Sequence, residues 1–429
     1  MESLAHGGDG VAREPSGRVV FVPFTCPGDI VRVEITQEKS DYARARVTEV
    51  VEASPSRVEP ACPYFGSCGG CQWQHVSYET QLAQKRSTIR TALRRLAHLA
   101  ADVPPPLPSA EQYGYRNRIE LQARGDRGLE LGFSPSEPGP LVQVDTCHLL
   151  PPEARSWPRA LRGALGFLAG RQAVEPLRVV IRTSIRTGDS LVEVWTRPGG
   201  APRGLVAKAV QEATGCKGVV RVLFRPDDGR RAVRGTEVLA GRGAWSESLA
   251  GVRFLTSATS FFQANTAVAE TLVRAVLDSA DGEGMTVLDA YAGVGTFTVP
   301  LARAGHDVTA VEPHGPAVRD LRRNLKQNGA NARVLPGTVE RSLSPSVLGE
   351  QHFDWVVLDP PRSGLTQTAV EVIAGTGARL ITYVSCDPMT FARDVARLTA
   401  RGFTLRSVQP VDMFPQTFHA EVVSVLVSD

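Results

Sequence analysis

Cys386 follows an apolar run, Leu380–Ser385, and precedes Asp387-Pro388. The run has the composition of a strand, so the thiol stands at a strand's carboxyl end, where a soft nucleophile can face a ligand crevice. Taken alone, such a cysteine reads as readily as a core residue; its position beside the other motifs favours the nucleophile. Asp412-Met413-Phe414-Pro415-Gln416-Thr417-Phe418-His419-Ala420-Glu421 leads into a final apolar strand, residues 422–427. His419 and Glu421 are candidate proton handlers, the plainer reading being a charged strand entrance. Asp359 ends another strand and opens the stiff exit Asp359-Pro360-Pro361-Arg362.

A fourth motif is Val287-Leu288-Asp289-Ala290-Tyr291-Ala292-Gly293-Val294-Gly295-Thr296-Phe297, an apolar strand running into a glycine turn and a helix. Gly293 and Gly295 let the backbone approach a ligand closely. Thr298 stands where a dinucleotide fingerprint has its third glycine, which disfavours a pyrophosphate. Glu312 ends the next strand, where a carboxylate can accept from both hydroxyls of a ribose. Together they suit an adenosyl ligand; a tight turn followed by a surface glutamate is the alternative. Far upstream, Cys62, Cys68 and Cys71 form a Cys-x5-Cys-x2-Cys group. In a chain with seven cysteines and no leader pattern, metal or catalysis is favoured over disulfides.

The elements that must hold these groups fall into three blocks. Residues 17–24, 30–35 and 43–51 read as short strands punctuated by Pro27-Gly28-Asp29, which suggests a small OB-like barrel, either gripping nucleic acid or serving only as packing. Residues 77–99 read as a helix with Leu82, Ile89, Leu93 and Leu96 on one face and Arg86, Arg90 and Arg94 on another. After a proline-rich linker at 103–108, Tyr113, Tyr115, Arg116 and Arg118 interleave on an expected strand, a pattern suited to unpaired bases and phosphates. Residues 177–185 and 190–195 are expected strands of a mixed middle section. From residue 252 onward, strands at 286–289, 307–312, 355–359 and 380–385 alternate with helices such as 265–277 and 317–328, the pattern of a doubly wound parallel sheet. The expected organisation is a barrel at 1–58, a mixed α+β central domain at 59–250 and an α/β, Rossmann-like domain at 251–429.

Length favours two or three domains, and 42% hydrophobic content supplies real cores. A net charge of +3 permits a nucleic-acid partner without demanding one. No apolar run reaches the roughly 18 residues of a membrane span, so a cytoplasmic monomer with no membrane partner is expected.

Taken in order, Ser260-Phe261-Phe262-Gln263-Ala264-Asn265, the glycine turn, Asp359-Pro360-Pro361-Arg362, Ser385-Cys386-Asp387-Pro388 and Asp412-Met413-Phe414-Pro415-Gln416-Thr417 resemble the RNA 5-methyluridine methyltransferases over nearly the whole chain. The N-terminal block is similar to a TRAM domain. The resemblance implies that Gln263, Tyr291, Glu312 and Asp359 hold S-adenosylmethionine, that Cys386 is the nucleophile and that Glu421 is the base. It also implies that Cys62, Cys68, Cys71 and Cys147 hold a [4Fe-4S] cluster; zinc more often takes two Cys-x2-Cys arms. The implied substrate is RNA, ribosomal or transfer, with the cysteine pattern favouring ribosomal. One departure bears on chemistry: Asp387 stands where the family usually has asparagine, and an adjacent carboxylate raises a thiol's pKa unless a cation such as Arg362 or Arg393 offsets it.

Carbon 5 of uracil is a weak nucleophile. Thiolate attack at carbon 6 makes it an enolate carbon able to take a methyl group, and a base must then remove the proton from carbon 5 so that the thiol can leave. Gln263, Arg362 or backbone amides are candidates to stabilise the enolate. Two other readings compete. RNA cytosine-5 methyltransferases use a second cysteine after an Asp-x-Pro run, where Arg362 stands here. An RNA-binding protein with an inactive methyltransferase domain would have no need of both Cys386 and Glu421.

Overall fold

The computed structural model describes residues 1–428 apart from 126–127, 228–229, 281, 345–346 and 348–350. At the N-terminus a five-stranded sheet runs in the order Ser3–Leu4, Gly10–Arg13, Val19–Val22, Tyr42–Glu52, Ile30–Glu38. Its small core is Val20, Val22, Ala43 and Ala45. The hairpin joining the first two strands was not anticipated, because two- and four-residue strands carry too little alternation to be read.

The expected helix forms over Tyr78–Ala92, with Ser77 Oγ accepting from Thr80 N, and widens into a π-turn at Leu93–Ala97. Its buried face differs from the expected one. Gln81, Lys85, Ile89, Ala92 and Leu93 are buried, Leu96 is exposed and Leu82 only half-buried. The polar members have buried partners on the 412–421 segment. Lys85 Nζ lies 2.6 Å from Asp412 Oδ1 and donates to the Phe414 carbonyl at 2.9 Å. Gln81 and Gln416 exchange hydrogen bonds, Nε2 to Oε1 at 3.1 Å and backbone N to Oε1 at 2.9 Å. Removing one member of a buried ion pair costs about 3–5 kcal/mol, so the helix fixes this segment firmly. Arg86 donates to the Val103 carbonyl and is not a free phosphate contact. The proline-rich stretch is no free linker either: Leu107 N donates to Pro410 O and Asp412 N to Leu107 O.

The central section is a six-stranded sheet, Arg230–Ala240, Gly218–Asp227, Ser190–Thr196, Pro176–Thr183, Arg118–Arg124, Glu130–Gly132, backed by helices Trp157–Gly170 and Arg203–Thr214 through Leu161, Leu165, Val206 and Val210. The two strands from Gly218 escaped sequence reading because Arg221 interrupts their apolar pattern. That arginine is buried all the same, bonded to Thr196, Glu237 and the carbonyls of Arg197 and Gly199.

The third sheet has seven strands, in the order Arg333–Pro336, Asp307–Glu312, Thr286–Ala290, Trp355–Leu358, Leu380–Ser385, Glu421–Ser428, Phe403–Val411. The first five pair in parallel, as the alternation of strands and helices requires; Glu421–Ser428 inserts antiparallel. That insertion sets Glu421, first residue of its strand, at the same sheet end as Ser385, last residue of the neighbouring one: Ser385 pairs with Val422. Among the described residues no helix is long and apolar enough to cross a membrane.

Candidate active site

Gln263, Tyr291, Glu312, Asp359, Cys386 and Glu421 all line one crevice of about 740 Å³ beyond the carboxyl ends of the parallel strands. Parallel strands point their carboxyl ends at one rim, so residues scattered over the chain meet there. Tyr291 leaves its strand with φ 69°, a left-handed conformation that costs a non-glycine residue about 1–3 kcal/mol and persists only where its surroundings enforce it. Gly295, at φ 96°, brings the turn so close to the helix Gly315–Gln327 that a Cβ would lie 2.6 Å from Leu321 Cδ1. Glu312 Oε2 accepts from Gly293 N at 2.9 Å and Oε1 from His314 N at 2.7 Å. Both oxygens keep a lone pair for a diol. Gln263 Nε2 donates to Asp359 Oδ2 at 3.1 Å. The Gln263 loop is itself held by Asn117 Nδ2 on the Gln263 carbonyl and by Arg182 on the carbonyls of Ala258 and Ser260.

Burial pushes the Asp359 carboxyl up to about 7, helped by Asp289 and opposed by the Gln263 hydrogen bond. Burial also pushes Glu421 well above the ordinary carboxylate range, with Asp359 adding to it and Arg362 opposing. The Cys386 thiol is raised by burial, then by Glu421 and Asp359, up to about 12; Arg362 pulls it down and Asp387 pushes it up. Three acids thus push this thiol up and one guanidinium pulls it down. Deep in the turn, Asp289 Oδ1 is buried without a protein partner.

Of the two proton handlers, Glu421 lines the crevice. His419 packs on Phe418, centroids 4.1 Å apart, and burial with surrounding cations holds it down near 3, hence neutral. Of the interleaved aromatics and arginines, Tyr115 is buried with its hydroxyl on the Pro415 carbonyl, and Tyr113 is half-buried with its hydroxyl 3.4 Å from Gln74 Oε1. Tyr115 is therefore a packing residue, whereas Arg116 and Arg118 line the crevice, with Phe414. Phe261, whose place in the Ser260–Asn265 run gives no sign of exposure, is a large ring 66% exposed at the same rim. Arg393, one of the two expected offsetting cations, is committed to Asp394 and to the carbonyls of Ser363 and Leu365.

Cys62, Cys68, Cys71 and Cys147 line a second, smaller cavity of about 50 Å³. Burial, with neighbouring cysteines adding to it, pushes Cys68 up to about 11 and Cys71 up to about 12. Among the described residues no three His, Cys, Asp or Glu side chains are grouped closely enough to hold a metal ion. The four thiols share the wall of this cavity with Tyr64, Phe65, Phe133 and Arg116. Cys26 and Cys216 are buried packing residues.

Comparison with known proteins agrees with this geometry. Residues 1–48 match the TRAM domain, and residues 337–428 match the family model for tRNA (uracil-5-)-methyltransferase. An uncharacterized RNA methyltransferase of Thermosynechococcus vestitus is 38% identical over 99% of this chain and 96% of its own length. One from Gloeobacter violaceus is 37% identical over 99% and 95%. The crystal structure of Pyrococcus abyssi tRNA (uracil-54, C5)-methyltransferase in complex with S-adenosyl-L-homocysteine superposes with a TM-score of 0.78 at 28% identity, covering 100% of this chain and 99% of that one. Sheet, crevice and relatives define an S-adenosylmethionine-dependent RNA methyltransferase. More narrowly, the chain belongs to the RNA (uracil-5-)-methyltransferase family, with a TRAM domain at its N-terminus.

Proposed function

We propose that this enzyme methylates carbon 5 of a uridine in structured RNA, with Cys386 as nucleophile and Glu421 as base. The observation that carries the reading is the presence of both side chains in one crevice with Gln263, Tyr291, Glu312 and Asp359. S-adenosylmethionine, when bound, supplies an electrophilic methyl on a sulfonium. Glu312 is placed to accept from the ribose hydroxyls through its free lone pairs, while Tyr291 and Asp359 form the adjoining wall and Gln263 orients Asp359. Cys386, as its thiolate, bonds to carbon 6 of the ring, the pair of the 5,6 double bond moves into the enolate, and carbon 5 takes the methyl as the methyl's bond to the sulfonium breaks, its electron pair staying on that sulfur. Glu421 then removes the carbon 5 proton and the carbon–sulfur bond breaks. Arg362, on the crevice wall, offsets negative charge at the thiolate and the enolate oxygen. The target base has to leave its stack to reach this depth, and Arg116, Arg118 and Phe261 at the rim suit an extruded nucleotide.

The domain boundaries we infer remain 1–58, 59–250 and 251–429. Ribosomal RNA is the proposed substrate, on the strength of the cysteine pattern. Transfer RNA is the second reading, favoured by the family model and by the archaeal structure. The test is nucleoside analysis of ribosomal and transfer RNA after incubation with the purified protein and methyl-labelled S-adenosylmethionine. The expected product is 5-methyluridine in ribosomal RNA. Label in 5-methylcytidine, or in neither base, would overturn the reading.

We further propose that Cys62, Cys68, Cys71 and Cys147 hold a [4Fe-4S] cluster with a structural role, as their shared cavity supports. Anaerobically purified protein should be brown, with about four iron and four sulfide per chain, and Cys147→Ser should lose the colour. Colourless native protein with stoichiometric zinc would defeat the assignment.

A further inference from the structure

Asp387 directly follows the proposed nucleophile, and its negative charge raises the thiol it should help to ionise. The structure shows how that charge is held. Asp387 caps the helix Pro388–Thr399: its Oδ1 accepts from Met389 N at 3.0 Å and Thr390 N at 2.9 Å. The other oxygen, Oδ2, faces away from the cap and lies 3.4 Å from His6 Nε2. His6 comes from the far end of the chain, in the turn between strands Ser3–Leu4 and Gly10–Arg13 of the TRAM domain.

That turn is seated firmly. Trp73 Nε1 donates to the Gly8 carbonyl at 3.0 Å, and Gln84 Nε2 to the Leu4 carbonyl at 2.8 Å. Gly8 has φ 104°, and a Cβ there would lie 2.9 Å from Gln72 Cβ and 3.5 Å from Phe418 Cδ1. The His6 ring meets Phe418 edge-on, centroids 5.6 Å apart. His6 is itself exposed, and its imidazole reaches Asp387 from an anchored turn.

We propose that His6 is a positioning residue of the methyl-transfer site, holding Asp387 so that its charge is drawn from the Cys386 sulfur and thiolate formation becomes dependent on the seating of the TRAM domain. The inference rests on Cys386 being the nucleophile. Asparagine at 387 would cap the helix equally well without a charge; aspartate adds one, and among the described residues His6 is the basic side chain within 4 Å of it. The other groups facing the thiol are Glu421, Asp359 and Arg362; the remaining hydrogen bonds to the Asp387 carboxylate are the two cap amides and the Thr390 hydroxyl, Arg393 acts on it from a longer distance, and His419 faces His6. Burial by itself works against the charged form of Asp387; the bonds from His6, Thr390 and Met389 outweigh it and bring that carboxyl down to about 2.

The test is the pH profile of Cys386 alkylation by iodoacetamide in the full-length protein, read by mass spectrometry on the tryptic peptide of residues 380–393, in which Cys386 is the sole cysteine. His6→Ala should move the profile to higher pH, by half to one unit, slowing alkylation near pH 7.5 by about three- to tenfold. Asp387→Asn should alkylate at least as fast as the native protein, and adding His6→Ala to it should change nothing further. An unmoved profile in His6→Ala, or equal slowing in both backgrounds, would overturn the proposal; the second result would mean that His6 acts through packing alone. Covalent capture of RNA containing 5-fluorouridine, measured in parallel, reports on the nucleophile assignment by itself, so the failure of one reading is visible apart from the other.

Discussion

Cys386→Ala protein, given S-adenosylmethionine and RNA, is expected to make no detectable 5-methyluridine, a loss on the order of 10⁴-fold or more. On the proposed mechanism the sulfur contributes both electrons of the bond to carbon 6, and alanine has nothing to replace them. Without that bond carbon 5 stays electron-poor, and positioning the methyl donor beside it gains little. The variant should still bind the cofactor with native affinity, because Glu312, Gln263, Asp359 and the glycine turn are untouched. It should also fold, since the thiol is only partly buried and removing it opens no core cavity. Titration of the cofactor and a transfer assay on the same preparation separate the two effects. Residual activity near that of the native protein would end the assignment of Cys386.

Glu421→Gln should fail at the opposite end of the reaction. The amide fills the same space but cannot accept the carbon 5 proton. Methyl transfer can proceed while resolution of the adduct cannot. RNA should accumulate bound to the protein through Cys386, stable to denaturing gel electrophoresis and already methylated, with turnover lowered by about 10²–10⁴-fold. The pH dependence of the native enzyme bears on the same group. Burial and Asp359 raise the Glu421 carboxyl well above its ordinary range, so it is protonated at low pH and serves as a base only as pH rises. The Cys386 thiol, pushed up to about 12, has the same sense. Turnover should therefore increase with pH through neutrality into the alkaline range. Normal turnover in Glu421→Gln, with no trapped adduct, would move the base elsewhere.

How far the sequence alone reached can be judged element by element. The strands at Asp307–Glu312 and Leu380–Ser385 were legible to the residue, because a buried parallel strand is a continuous apolar run with a polar residue at its exit. The helix expected at 265–277 forms over Thr266–Leu277, with Asn265 as the cap rather than the first helical residue. Motif spacing also put Cys386, Asp359, Glu312 and Tyr291 at strand ends, and strand ends of a parallel sheet share a rim. These are local properties: composition and periodicity decide them within a dozen residues.

Contacts between distant segments were another matter. Lys85 reads as one more charge on a helix, yet it lies buried on Asp412, and Tyr115 reads as a stacking ring, yet it serves as a packing residue. His6 showed no signal at all, and its approach to Asp387 exists only because the N-terminal hairpin folds back over the far end of the chain. Likewise the antiparallel final strand, which sets Glu421 beside the exit of the Cys386 strand, follows from pairing rather than pattern. Sequence thus determined which groups could react and which elements carry them. Tertiary structure decided which charges face one another, since electrostatic coupling depends on separation and burial in space, and neither is encoded by nearness along the chain.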